Sequence, residues 1–112
     1  MADRSRAGKD SMKMVMVVFR DTLKDHMVMF LKERDIKSYT LMHEVAGAGQ
    51  TGEAIGSFAA PNLNSMILVV LPDKQAEGFI GELHAFRDSV AHDFPAGKVP
   101  MRAFLLPCSQ AL

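Results

Sequence analysis

The sequence predicts an α+β domain with a four-stranded antiparallel sheet and two helices on one face of that sheet. Four short apolar segments and two amphipathic segments follow one another in the order βαββαβ. Apolar residues make up 48% of the 112 residues, so the chain can form one hydrophobic core of its own. The two strands expected in the centre of such a sheet are also the most apolar ones.

The first strand and the first helix are indicated by a change in apolar periodicity. Residues 13–19, KMVMVVF, form a short run rich in β-branched residues, which predicts a buried strand. Asp21 or Thr22 is the expected N-cap of the helix, and Thr22 with Asp25 resembles a capping box. The apolar stripe of this helix consists of Leu23, Met27, Phe30 and Leu31.

The remaining elements follow from the same reasoning. Residues 38–45 and 64–71 are predicted to form the second and third strands, and residues 99–106 the fourth. Asp73 is the expected N-cap of the second helix. The apolar stripe of the second helix consists of Ala76, Phe79, Ile80, Leu83, Phe86 and Val90.

This order is the split-βαβ or ferredoxin-like arrangement, with the first and third strands in the centre and the second and fourth at the edges. Polar Thr40, His43 and Glu44 in the second strand and Pro100 in the fourth agree with edge positions. Both central strands are apolar on both sides, whereas a face in contact with water would contain polar residues. The face without helices is therefore expected to be buried against other subunits.

Composition and charge limit the class of partner and the compartment. Thirteen basic residues balance 13 acidic ones, so no broad surface for nucleic acid is predicted. The single Cys108 excludes an internal disulfide and suits a reducing compartment. The longest apolar runs are far below the roughly 20 residues of a membrane helix, and no signal peptide is recognised. A cytoplasmic protein without membrane insertion is expected, with tails at 1–11 and 108–112 around one domain at 12–107.

One short motif, GAGQTG at residues 47–52, matches the G-x-G-x-x-G fingerprint of dinucleotide-binding enzymes. Extended to Glu53, the motif also resembles a phosphate-binding P-loop in which Glu53 takes the place of the lysine. Both motifs require a helix directly after the glycines, and here a further strand is predicted instead. Residues 46–63 are therefore predicted to be a long loop, which is typical of binding or disordered segments.

The strand order, the segment DIKSYTLMHEVAGAGQTG, the long loop and PAGKV before the last strand together resemble the P-II family of signalling proteins. The resemblance implies a homotrimer formed through the sheet face. It also implies that an adenine nucleotide such as ATP, ADP or AMP binds between subunits. The long loop, called the T-loop in this family, would then contact a target protein such as a membrane transporter.

The resemblance also assigns residues to the effector site. Gly47, Gly49, Gln50 and Thr51 match the glycine-rich start of the long loop, which holds phosphates. Gly97 and Lys98 match the loop in which a lysine meets phosphate from the other side. Ser38 and Thr40 match small hydroxyl residues near the base. No arginine precedes Gln50, so a different nucleotide or a small anion is an alternative effector. No tyrosine lies in the loop, so uridylylation is not predicted.

Two other classes of function are metal binding and catalysis. The segment HMVM at residues 26–29 contains soft ligands suited to Cu(I). The resemblance also includes the divalent-cation-tolerance proteins, which share the trimeric fold, and it implies the alternative, a metal-binding or metal-responsive protein associated with metal transport. The methionines of HMVM are also typical of core filling, and no metal ligand is assigned. No nucleophile lies beside a base in a recognisable pattern, so no enzymatic activity and no catalytic residue are predicted.

Overall fold

The computed structural model describes residues 11–45, 47–49, 52–54 and 63–112, and all structural statements below concern these residues. The elements, in chain order, are β1 Met12–Arg20, a 3-10 turn Asp21–Leu23, α1 Lys24–Glu33, β2 Thr40–Val45, β3 Gly47–Gly49, β4 Gly52–Ala54, β5 Asn64–Pro72, α2 Asp73–Val90, 3-10 turns Ala91–Asp93 and Pro95–Gly97, and β6 Met101–Cys108.

The main sheet has four antiparallel strands in the order β2-β5-β1-β6. This confirms the ferredoxin-like prediction, because the strands expected in the centre, β1 and β5, are central and the other two form the edges. The register places Val15 opposite Val69 and Val17 opposite Ile67. A one-residue shift separates the pairing of Met42 from that of Val45, which is the pattern of a β-bulge in β2.

Strand side chains alternate between two faces, and one of these faces is covered by both helices. Val15, Val17 and Phe19 of β1 are buried, while the residues between them are only half-buried. The helices contribute to the same core through the predicted stripes. Its buried helical members are Leu23 of the 3-10 turn, Met27, Phe30 and Leu31 of α1, and Ala76, Phe79, Leu83 and Val90 of α2.

The opposite face, here called the bare face, carries no helix in the described part of the chain. It contains the intervening residues of β1 and β5 together with apolar residues of the edge strands. Several of them are strongly exposed, among them Met42, Val70, Phe104 and Leu106. The expected apolar surface on the second face is therefore present in the single chain.

The predicted helix caps are wrong. Neither α1 nor α2 has a side-chain hydrogen bond at its N-cap, because a 3-10 turn precedes α1 and Pro72 precedes α2. Asp73 instead accepts a hydrogen bond from the Lys13 ammonium group at 3.1 Å. The Asp21 carboxylate accepts a hydrogen bond from Ser65 of β5, as described below. Both acids therefore connect separate elements rather than capping their own helix.

The last strand begins and ends later than predicted. Pro100 lies just before β6, while Pro107 lies within it, which the edge position permits. Cys108 pairs with Met12 and is half-buried, so the residue expected to open a C-terminal tail belongs to the sheet. The other predicted tail falls almost wholly outside the described residues.

Candidate functional site

One end of the main sheet serves as the reference point for the positions of the predicted site residues. Arg20 at the end of β1 lies opposite Asn64 at the start of β5, and Asn64 also lies opposite Val45 at the end of β2. Phe19 lies opposite Met101 at the start of β6. The long loop therefore leaves and re-enters the sheet at the same end at which the approach to β6 arrives. We call this the loop end.

The glycine-rich segment at the loop end forms part of a small antiparallel hairpin. Gly47 pairs with Ala54, and Gly49 with Gly52. Since β4 follows the glycines, the helix that a Rossmann or P-loop site needs is replaced by a strand. The predicted long loop thus includes a hairpin at its start. Gln50 and Thr51, both predicted to contact phosphate, lie outside the described residues.

The second predicted segment, which contains Gly97 and Lys98, lies in a tight turn at residues 94–98 just before β6. Ala96 and Gly97 both have positive φ, at 56° and 66°, a conformation that suits glycine and strains alanine. The Gly97 N–H donates to the Phe94 carbonyl and the Lys98 N–H to the Pro95 carbonyl, each at 3.0 Å. These N–H groups are used within the turn. What Lys98 can offer a ligand is its exposed ammonium group.

Ser38 and Thr40, the predicted base contacts, are exposed but lie far from the glycines of their own chain. Thr40 opens β2 and pairs with Leu68 near the middle of β5. Thr40 and Val45, at the loop end of β2, are five positions apart, which corresponds to roughly 15 Å along the strand. The structure therefore does not bring these two groups together within one chain.

The two glycine-containing segments are closer to each other. Both lie at the loop end, but β2 and β6 are opposite edges of the sheet. Three strand spacings of about 4.8 Å separate these edges by roughly 14 Å. A ligand that contacts both segments must therefore extend across the ends of β5 and β1.

Comparison with known proteins identifies the family. The model of the family "Nitrogen regulatory protein P-II" matches residues 12–110. The chain belongs to the P-II family. A comparison with curated protein sequences gives no match. In the part of this P-II protein that the structure describes, no helix is long and apolar enough to cross a membrane.

Solved structures show the same fold. One is CPII, a nitrogen regulatory PII-like protein from Thiomonas intermedia K12, bound to ADP, AMP and bicarbonate. It has a TM-score of 0.66 at 14% sequence identity over 90% of this chain and 96% of that chain. A structure of CPII from the same organism bound to ADP and bicarbonate has a TM-score of 0.62 at 15% identity, over 89% and 90% of the two chains. At these identities, the comparison establishes the fold.

Sequence reasoning missed the hydrogen bonds that hold the loop end of this P-II protein together. The hydroxyl of fully buried Ser65 donates to Asp21 Oδ1 at 2.6 Å. The Asp21 N–H donates to the Leu63 carbonyl at 2.8 Å, where the long loop returns to the sheet. A signal was present, because Ser65 is a polar residue at a core position of an apolar strand and such groups require a partner.

The residues of the alternative metal hypothesis are not gathered into a site. Met27 is fully buried in the core, whereas His26 and Met29 are exposed on the surface of α1. Among the residues placed by the structure, no group of three or more His, Cys, Asp or Glu side chains could hold a metal ion. The segment HMVM therefore combines a core residue with surface residues.

Proposed function

We propose that this P-II protein is a homotrimeric regulator that binds an adenine nucleotide between subunits and controls a target protein through its long loop. The observation that carries the proposal is the division of the predicted site. Gly47 and Lys98 lie at the loop end, whereas Thr40 begins β2 roughly 15 Å further along the edge strand and Ser38 precedes it. Residues from two chains complete such a site where one chain alone does not.

The bare face supplies the driving force for this assembly. Apolar residues cover it on both central strands and both edges, and burial of apolar surface contributes about 25 cal/mol per Å². A patch of this kind on a single chain is typical of an interface. Packing three copies through this face brings the edge strands of neighbouring chains together and forms the clefts that the divided site requires.

The class of effector is supported by chemistry and by the relatives. Lys98 is exposed, and none of the ion pairs between residues that the structure places involves it, so its charge is available for phosphate. The related CPII structures contain ADP, AMP and bicarbonate. We therefore favour ATP, ADP or AMP over other anions. Proteins of the P-II family are regulatory, so the proposed role is regulation rather than catalysis.

Regulation would act through the long loop. A ligand at Gly47, Gly49, Gln50 and Thr51 would contact the start of the loop and change the arrangement that a partner recognises. A membrane transporter is the partner implied by the resemblance, with the regulator acting from the cytoplasm. In this proposal, the nucleotide is a signal rather than a substrate.

Calorimetry with ATP, ADP, AMP and a cyclic dinucleotide tests the proposal. We expect binding of at least one adenine nucleotide, and about a tenfold weaker Kd for Lys98→Ala because one charge-assisted contact to phosphate is lost. Lys74→Ala is the matched control, since Lys74 is also exposed but lies at the opposite end of the sheet. Absence of heat with every nucleotide contradicts the proposal, and equal weakening in both variants contradicts the role of Lys98.

A further inference from the structure

The bare face carries most of the sulfur atoms of this P-II protein. The sequence contains nine methionines and one cysteine. Strand pairing and the alternation of side chains place six of these ten residues on the bare face, namely Met12, Met14 and Met16 of β1, Met42 of β2, Met66 of β5 and Cys108 of β6. The segment HMVM of α1 does not gather its soft ligands, whereas the sheet does.

Two thioethers and the thiol lie together at the end of the sheet opposite the loop end. Met12 is directly opposite Cys108, and Met14 is opposite Leu106 and therefore diagonal to Cys108. In an antiparallel pair, opposite Cβ atoms are about 5 Å apart and diagonal ones about 7 Å. Because methionine is unbranched and flexible, all three sulfur atoms can reach one ion between them. We call Met12, Met14 and Cys108 the sulfur corner.

A neighbouring contact fixes the face on which the sulfur corner lies. Lys13, between the two methionines, places its Nζ 3.1 Å from Oδ1 of Asp73, the first residue of α2. Lys13 thus points to the helix side, so Met12 and Met14 point to the bare face. All three sulfur-containing side chains are half-buried, and β6 is an edge strand. The corner therefore lies at the margin of the bare face, where an ion can enter from solvent.

This set of ligands favours a soft monovalent cation. Thiolate and thioether sulfur select Cu(I), whereas hard cations prefer carboxylate, carbonyl and water oxygens. One thiolate balances the single charge of Cu(I), and the two neutral thioethers add coordination without further charge. A divalent ion would leave an uncompensated positive charge beside Val70, Pro72 and Leu106, the apolar residues that pair with the two methionines.

We propose that Met12, Met14 and Cys108 form a binding site for Cu(I). On binding, the Cys108 thiol releases its proton to solvent, and the thiolate and the two thioethers coordinate the ion without a change in its oxidation state. The site lies at the opposite end of the sheet from Gly47 and Lys98. It therefore goes beyond the proposed function and does not depend on nucleotide binding.

Anaerobic titration of the reduced full chain with Cu(I), in competition with a chromophoric Cu(I) chelator, tests the site. We expect about one ion per chain. Met12→Leu and Met14→Leu conserve side-chain volume and should each weaken the Kd by at least about tenfold, since loss of even a hydrogen-bonding partner of a ligand costs about 10- to 100-fold. Cys108→Ser should weaken binding most, because it removes the charged ligand.

Met42→Leu and Met66→Leu are the matched controls. Met42 and Met66 also lie directly opposite each other on the bare face, but the single cysteine of the chain is at the other end of the sheet. Both variants should bind Cu(I) as tightly as the wild-type protein. If Met12→Leu and Met14→Leu do so too, Cys108 binds the ion by itself and the proposal is wrong. Equal weakening in all four variants overturns it as well, because the effect then belongs to the whole face.

Proton release provides a readout that is independent of affinity. Calorimetry in buffers of different ionisation enthalpy should show about one proton released per Cu(I) in the wild-type protein and none in Cys108→Ser. Binding without proton release in the wild-type protein contradicts coordination by a thiolate. Light scattering should give Met12→Leu, Met14→Leu and the wild-type protein the same mass, which assigns the loss of affinity to the missing sulfur.

Failure of this site and failure of the proposed function are distinguishable. Met12→Leu should bind ATP, ADP or AMP with the same Kd as the wild-type protein, because the sulfur corner is remote from the loop end. If no nucleotide binds, the proposed function is wrong, and the Cu(I) titration still decides on the metal site. If nucleotide binds and Cu(I) does not, the metal site is wrong while nucleotide binding stands.

Discussion

The two faces of the main sheet have similar composition but different surroundings. Val17 and Ile67, which are paired across β1 and β5, are fully buried beneath the helices. Their neighbours Val18 and Leu68 point to the other face and remain partly accessible in the single chain. The same strands thus provide a finished core on one side and an apolar surface without a cover on the other. One face completes the fold, and the other is the face that the proposed trimer would bury.

The largest expected effect comes from the covered face. Ile67→Ala should lower the free energy of unfolding by about 2–5 kcal/mol, because it leaves a cavity in a packed core. Denaturant unfolding at two protein concentrations measures this loss, which should appear at both concentrations. A loss below 1 kcal/mol would show that the two faces are less different than their burial indicates.

A charged substitution on the bare face should change the mass of the assembly. Leu68→Asp places a charge in the proposed interface, so we expect light scattering to report a monomer while the far-ultraviolet circular dichroism is retained. Met29→Asp is the control, since Met29 is a flexible apolar side chain that is 52% accessible and lies on the helix side. If the trimer persists in Leu68→Asp or dissociates in Met29→Asp, the bare face is not the interface.

The outer surface of α2 should show the smallest effect. A Cβ added at Gly78 would meet no atom within 4 Å, so Gly78→Ala should raise the free energy of unfolding by about 0.5–1 kcal/mol. Gly97→Ala should lower it, because Gly97 has positive φ. Thermal unfolding of both variants measures the two changes in the free energy of unfolding. A change of mass in Gly78→Ala would place part of the interface on the helix side.

Much of this architecture could be predicted from apolar periodicity. Alternation in β1 and β5 reports burial on each face, and the stripe of α2 contains the residues that reach the core. The assignment of α1 followed the same rule, since Met27 is buried and Met29 is exposed. These features depend on local spacing, which a single sequence contains.

The predictions failed where partners are distant in sequence. Asp21 has the features of a helix cap, but a serine 44 positions away provides a stronger partner for its carboxylate. Asp73 likewise contacts Lys13, which is 60 positions away. The candidate site has the same limitation. The resemblance indicated its parts, but their separation along and across the sheet depends on strand order.

The bulge in β2 has a consequence for how this protein can vary over evolution. Pairing between β2 and β5 shifts by one residue between Met42 and Val45, and the hairpin that follows forms its own sheet. An insertion or deletion beyond Val45 therefore leaves the ladder of the main sheet in register, and doubling the length of a flexible loop costs only about 0.6 kcal/mol. If the loop contacts the partner as proposed, partner specificity can be exchanged by changing the loop while the inherited scaffold remains intact.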